Sequence, residues 1–182
     1  MFVAHLQLGF RHVIPLGLDH ILFMICLVLQ NKRLTSIIYK SLLFTISHSL
    51  ALLLAVVYHI PNYSLTEPLI ALTILVSAMW ILLDQVPSKI NLLLIFIFGI
   101  IHGLGFANAF MEAGVDSVLI SVLSFNVGVE LAQLCILLGG YGLFHMLLSE
   151  MKNYNEWIVK PVCTLIACIA VYWFLTRLPI FQ

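Results

Sequence analysis

The sequence predicts an all-α protein: a polytopic membrane protein, built as a bundle of about six transmembrane helices. Hydrophobic residues make up 63% of the chain and charged residues 9%, whereas soluble domains carry about 25% charged residues. The mean hydropathy is +1.14, and apolar stretches alternate with short polar links. A soluble fold of 182 residues could not bury this much apolar surface, so we expect one integral membrane domain over residues 1–182.

Six apolar segments approach the length of about 20 residues that a helix needs to cross the hydrocarbon core. They cover roughly residues 12–30, 36–58, 67–83, 91–111, 117–148 and 160–178. The fifth segment is the longest. Gly139, Gly140 and Gly142 give it a place to kink or to leave the bilayer.

The basic residues predict how the bundle is oriented, because cytoplasmic loops are enriched in Lys and Arg. The first, third and fifth links and their borders carry Lys32, Arg33, Lys40, Lys89, Lys152 and Lys160. The second and fourth links carry none, and each terminus has one contrary arginine, Arg11 and Arg177. We therefore expect both termini on the extracytoplasmic side, and we recognise no signal peptide in the first residues.

Several ionisable residues lie inside the predicted helices, where each costs roughly 2.5–3.5 kcal/mol on insertion scales. The first helix holds His12, Asp19 and His20. Spacings of seven and eight residues place His12 on nearly the same stripe as the other two. Asp19 and His20 point about 100° apart, so they can share one polar cavity without bonding to each other.

Two further helices add one histidine each. In the second helix, Thr45 precedes His48 by three residues, so both lie on one face. In the fourth, His102 stands beside Gly99 and Gly103, whose spacing lets a neighbouring helix approach closely. A histidine beside such a contact indicates that the tight packing surrounds a polar group.

The fifth helix carries a polar stripe in apolar surroundings. Asn126, Glu130 and Gln133 stand at positions i, i+4 and i+7, so they must face protein, a pore or an ion. Glu67 begins the third helix. Its charge either complements the helix dipole or contributes to an outer entrance for ions.

Imidazole and carboxylate are ligands that suit a borderline divalent metal such as nickel, cobalt or zinc. The candidate metal ligands are His12, Asp19, His20, His48, His102 and Glu130. The supporting polar residues are Thr45, Glu67, Asn126 and Gln133. The four cysteines lie in apolar runs and are expected to pack in the interior. No residue is assigned a catalytic role.

Five motifs follow one another along the chain: GFRHVIPLGLDHILFM, FTISHSL, TEPLIALTI, FGIIHGLGFA and FNVGVELAQ. Over roughly residues 9–134 the sequence resembles the HupE/UreJ family of bacterial hydrogenase and urease accessory membrane proteins, in particular its shorter branch. The resemblance implies a protein of the bacterial cytoplasmic (inner) membrane that moves nickel or cobalt for metalloenzyme assembly. The motif positions correspond here to His12, Asp19, His20, His48, Glu67, His102, Asn126, Glu130 and Gln133.

We therefore expect a divalent transition-metal transporter, with Ni²⁺ or Co²⁺ favoured through the family and Zn²⁺ compatible with the ligands. The alternatives are an intramembrane zinc-dependent hydrolase built on three histidines and a non-transporting accessory protein of metalloenzyme assembly. The expected partners are the metal ion and the lipid bilayer, and a homo-oligomer is compatible with the sequence. The eight basic and eight acidic residues cancel, so no nucleic-acid partner is expected.

Overall fold

The computed structural model describes residues 2–60, 63–84, 91–113 and 117–181, and these residues form helices and turns without a strand. The α-helices are α1 (Phe2–Val13), α2 (Leu18–Gln30), α3 (Leu34–Tyr58), α4 (Thr66–Leu82), α5 (Asn91–Glu112), α6 (Val118–Tyr141) and α7 (Lys160–Thr176). Short π-helical segments cover Gly142–Leu147 and Asn155–Val159, and a 3₁₀ turn covers Pro179–Phe181. The predicted all-α class is confirmed.

Several of these helices are long and apolar enough to cross a membrane. Within the described ranges they are Leu34–Tyr58, Asn91–Glu112, Val118–Leu147 and Asn155–Thr176, and α1 with α2 makes a fifth if this bent pair counts as one span. The remaining helix, α4, is apolar but shorter, with 17 residues. At 1.5 Å per residue it is about 26 Å long, slightly less than the roughly 30 Å hydrocarbon core.

The first membrane segment differs from the continuous helix predicted over 12–30. The chain breaks between α1 and α2, and the two axes are bent by 67°. Pro15 explains part of this break, because proline has no backbone N–H and disfavours helical geometry in the residue before it. Gly17 then precedes the first residue of α2. His12 and His20 consequently belong to two different helices.

The surface of α3 shows how this fold meets lipid. Leu42, Ile46, Leu50 and Leu54 repeat every four residues and are exposed. The opposite face is buried and includes polar side chains, among them the fully buried His48. This arrangement, apolar outside and polar inside, is the reverse of a soluble helix and is expected where the surroundings are hydrocarbon.

Glycines set the closest helix contacts. A Cβ atom at Gly103 would overlap the backbone carbonyl of His48, so α5 packs directly against the backbone of α3. Gly9 and Gly128 make a similar contact between α1 and α6, because a Cβ at either position would overlap backbone atoms of the other helix. The small-residue surface predicted on α5 is therefore present, and it presses α5 against the turn that carries His48.

We expect Gly103→Ala to destabilise the fold by about 1–3 kcal/mol, the usual cost of overpacking a tight interior. The added methyl group meets the His48 carbonyl oxygen and the Ala51 side chain, and a backbone carbonyl cannot move aside cheaply. Thermal unfolding of the purified protein in detergent measures the effect.

Gly139→Ala is the matched control, since a Cβ at Gly139 has no neighbour within 4 Å. It should keep or raise the midpoint of unfolding, because alanine favours the helix by up to about 1 kcal/mol over glycine. Equal midpoints for the two variants would contradict the close packing of α3 on α5.

Candidate metal centre

Three histidines from three helices converge inside the bundle. His12 lies in the last turn of α1, His20 in the first turn of α2, and His48 near the middle of α3. One ligand atom from each lies within 4.8 Å of the other two. We call His12, His20 and His48 the histidine triad. His12 and His20 meet because the chain bends between α1 and α2, and not because they share one helical stripe.

His20 is the central ring of this group. Its ring centroid lies 4.8 Å from that of His12, 5.6 Å from that of His48 and 5.1 Å from that of His102. His102, on α5, therefore adjoins the triad through His20. The contacts to His12 and His102 are both edge-on, with interplanar angles of 73° and 87°.

Four of the six triad nitrogens make no hydrogen bond of normal geometry to a described residue, although the Asn126 side chain lies close to His48. Both ring nitrogens of His48 and the Nε2 atoms of His12 and His20 are buried in this unpaired state. Buried polar groups in folded proteins are nearly always paired, because an unpaired one costs about 1–3 kcal/mol. Several unpaired nitrogens pointing into one small volume are therefore a feature that needs a chemical explanation.

A first-row metal ion fits this donor set. Imidazole nitrogens bind such ions at about 2.0–2.1 Å, so two nitrogens on one ion lie roughly 3–3.4 Å apart. The triad ligand atoms already lie within 4.8 Å of one another. A small rotation of the side chains would bring them to the separation that a bound ion requires. Nitrogen donors suit zinc, nickel, cobalt and copper, and the triad contains no thiolate.

Aromatic rings surround the triad on both sides. The His12 ring lies 3.9 Å from that of Phe106 and 5.5 Å from that of Phe125, centroid to centroid. The His20 ring lies 5.8 Å from that of Phe44. Phe125 and Phe44 belong to two separate apolar clusters of the interior. The triad thus lies between these clusters, in surroundings of low polarity that strengthen any charge interaction made there.

His102 makes its polar contact with a residue of α4. Its Nε2 atom lies 3.0 Å from the Oγ1 atom of Thr73, which also donates to the carbonyl of Ile70 at 2.7 Å. The Nδ1 atom of His102 is buried and without a partner in the described part of the chain. Both His102 and Thr73 are buried.

Asp19 does not join the triad in this structure. Its carboxylate accepts two bonds from Arg177, at 3.1 and 3.5 Å. The same guanidinium lies 3.4 Å from the Glu67 carboxylate and stacks over Trp173. Asp19 and Glu67 occupy the first turns of α2 and α4, and Arg177 caps the end of α7. We call Asp19, Glu67 and Arg177 the ion triplet.

The predicted polar stripe of α6 divides into two parts. Gln133 is buried and packs against α3, where the hydroxyls of Ser41 and Thr45 lie 2.9 Å from its Oε1 atom. This network holds α3 and α6 together through hydrogen bonds between side chains. Thr45 therefore supports Gln133, whereas the sequence pattern placed it beside His48.

Glu130 and Asn126 line a shallow groove of about 330 Å³ between α3 and α6. The Oε2 atom of Glu130 and the Oδ1 atom of Asn126 are buried and unpaired among the described residues. The Nδ2 atom of Asn126 donates to the carbonyl of Val122. Glu130 is outside the group of metal-ligating atoms that the triad forms.

Comparison with known proteins identifies the family. The model of the family described as HupE / UreJ protein matches residues 1–177. The chain belongs to the HupE/UreJ family. No curated protein and no solved structure gives a match. The family is associated with nickel or cobalt uptake or with accessory roles, and the histidine triad gives this HupE/UreJ protein a group of side chains able to hold a metal.

Two residues of this HupE/UreJ protein, Thr73 and Arg177, contact predicted site residues but were not predicted from the sequence. Thr73 and Ser77 are hydroxyl residues four apart in an otherwise apolar helix, a signal that marks one polar face of α4. Arg177 lies at the end of the last helix that is expected on the extracytoplasmic side. Basic residues are less common on that side than in cytoplasmic loops. The ion pairs of Arg177 explain how a cation is tolerated there.

The two arms of the ion triplet should differ in strength. Asp19 receives two bonds from Arg177, and both side chains are largely buried, at 23% and 22% exposed, whereas Glu67 is 46% exposed. Double-mutant cycles with Asp19→Asn, Glu67→Gln and Arg177→Gln measure each arm by thermal unfolding. We expect a coupling of about 1–3 kcal/mol for Asp19–Arg177 and at most ~1 kcal/mol for Glu67–Arg177. A larger coupling for Glu67 would contradict this ranking.

Proposed function

We propose that this HupE/UreJ protein transports a divalent transition metal, with Ni²⁺ or Co²⁺ as substrate and the histidine triad as its intramembrane binding site. The observation that carries the proposal is the set of buried, unpaired triad nitrogens. A metal ion supplies the partner that these nitrogens lack, and their membrane-embedded position is where a transport site needs its ligands.

The choice among metals comes from two sources. The nitrogen donors suit borderline ions, including Ni²⁺, Co²⁺ and Zn²⁺. The family association then favours nickel or cobalt. We place His12, His20 and His48 first in the site, and we propose His102 as an additional ligand because its ring adjoins that of His20.

The carboxylates have secondary roles in this proposal. Asp19 precedes His20 directly, but it can bind the ion only after its bonds to Arg177 are released. Glu130 lines the groove between α3 and α6, and we propose its carboxylate as the carrier of a coupled proton. Glu67 attracts cations towards the end of the bundle where α2 and α4 begin.

An opening at the opposite end of the bundle fits an exit. A cavity of about 820 Å³ lies between the ends of α2, α4 and α6, and it is lined by Lys32, Asp84, Tyr141 and His145, among others. The distribution of basic residues favours a cytoplasmic position for this end. We therefore propose a protein of the bacterial inner membrane, with both termini extracytoplasmic and metal moving towards the Lys32 end.

A metal-dependent hydrolase is the second candidate, because three histidines also form catalytic zinc sites that keep one open position. The two functions differ in how firmly the metal stays bound. A hydrolase retains stoichiometric zinc after purification with a chelator, whereas a transport site releases its ion. An accessory protein without transport activity would leave the metal content of cells unchanged.

Metal accumulation in a bacterial host that lacks its own high-affinity nickel and cobalt uptake tests the transport function. Expression of the wild-type chain should raise cellular nickel or cobalt, measured by mass spectrometry. His20→Ala and His48→Ala should each reduce the gain to near the vector level, because each removes one nitrogen of the triad.

His59→Asn is the matched control. His59 is exposed at the end of α3 and bonds only locally, to the Val56 carbonyl, among the described residues. Its φ of 52° is left-handed, a conformation that asparagine tolerates. The control should accumulate metal like the wild type. Undiminished accumulation in both triad variants, at equal membrane expression, would reject the assignment of the triad.

A further inference from the structure

Thr73 occupies a position that decides where the proton of His102 lies. The Thr73 hydroxyl has a single hydrogen, and its 2.7 Å contact with the Ile70 carbonyl requires that hydrogen, because a carbonyl oxygen only accepts. The 3.0 Å contact between the Thr73 oxygen and the Nε2 atom of His102 must then be donated by the ring. His102 is therefore the tautomer that carries its hydrogen on Nε2.

This tautomer leaves a lone pair on the Nδ1 atom of His102. That atom is buried and has no hydrogen-bond partner in the described ranges of the chain. The ring is 5.1 Å from the ring of His20 and perpendicular to it. A neutral imidazole held by a bond to its N–H and offering its other nitrogen is the state in which histidine binds metal.

We propose that Thr73 is a positioning residue of the metal site: it fixes His102 in the Nε2–H tautomer, so that Nδ1 serves as a metal ligand next to the histidine triad. The proposal rests on the proposed function in so far as the ligand is a metal. The assignment of the tautomer itself does not depend on transport. It follows from the two contacts of one hydroxyl group.

The arrangement also connects α4 to the site. α4 contributes no histidine of its own, since its sequence from Thr66 to Leu82 contains none. The Thr73 hydroxyl is tied to its own helix at the Ile70 carbonyl. Movement of α4 relative to α5 would break the bond to His102 and free its ring to rotate or change tautomer. A shift of α4 is thus a way to weaken the binding of the metal by one ligand.

Ser77 provides a matched control on the same helix. It lies one turn after Thr73 and is also buried, but its hydroxyl donates to the backbone carbonyl of Thr73. Ser77→Ala removes a hydroxyl from α4 without removing the acceptor of His102. Thr73→Val keeps the shape of the side chain and removes the acceptor, while Thr73→Ser keeps the acceptor.

The first measurement uses the wild-type protein without metal. ¹⁵N spectra of the histidine side chains, with His102 assigned through His102→Gln, report which ring nitrogen carries hydrogen. We expect Nε2 protonated and Nδ1 unprotonated. In Thr73→Val this pattern should change to a mixture or to the other tautomer, and Thr73→Ser and Ser77→Ala should retain it. A wild-type His102 with its hydrogen on Nδ1 would overturn the proposal.

The second measurement is titration of the purified proteins with Co²⁺ alone, followed by its visible absorption. Loss of a hydrogen-bond partner behind a metal ligand typically lowers affinity 10–100-fold. We expect a decrease of that size in Thr73→Val, recovery to within about threefold of the wild type in Thr73→Ser, and no change in Ser77→Ala. Wild-type affinity in Thr73→Val would contradict the role of Thr73.

The two measurements separate this proposal from the proposed function. If the wild type binds no Co²⁺ but shows the expected tautomer, the transport function fails and the contact of Thr73 with His102 stands. If the wild type binds Co²⁺ and Thr73→Val binds equally well, the metal site of the proposed function stands and the role of Thr73 fails. If Thr73→Val does not fold, the tautomer of His102 in the wild type decides the outcome.

Discussion

The fold depends on burying imidazole rings in an apolar bundle while four of the six triad nitrogens have no hydrogen-bond partner among the described residues. Unpaired buried polar groups are costly, and the helices that carry them must be held in place by other contacts. Glycine supplies those contacts, because Gly103 and Gly99 let α5 approach the backbone of α3 around His48, and Gly9 and Gly128 do the same for α1 and α6. The polar interior is thus enclosed by helices that touch backbone to backbone.

The charged groups of the ion triplet are kept apart from the triad. Asp19 immediately precedes the triad residue His20, yet its carboxylate pairs with Arg177 at the ends of the helices. The imidazole rings below it are flanked by Phe44, Phe106 and Phe125. The charged groups of the ion triplet thus lie at the helix ends, and the imidazole rings of the triad lie in apolar surroundings.

Much of the fold and part of the site could be predicted from the sequence. Hydropathy located α2 to α7 but missed most of α1, which begins at Phe2 and not near residue 12. The small-residue spacing located the contact at Gly99 and Gly103. The convergence of His12 with His20 was predicted from helical periodicity, but it arises from the break after Val13, which Pro15 and Gly17 could have indicated. Asp19 contacts Arg177, which lies 158 positions later in the sequence. Thr73 contacts His102, which lies 29 positions later. Pairing at such separations depends on tertiary packing, which periodicity within one helix cannot reveal.

X-ray absorption spectroscopy of the purified protein loaded with one equivalent of Ni²⁺ or Co²⁺ tests the central claim most directly. The account predicts at least three nitrogen donors at about 2.0–2.1 Å, with the outer-shell scattering of imidazole rings. His48→Ala should lower the imidazole number by one. A bound ion surrounded by oxygen alone, or a protein that binds no ion at stoichiometric concentration, would contradict the account.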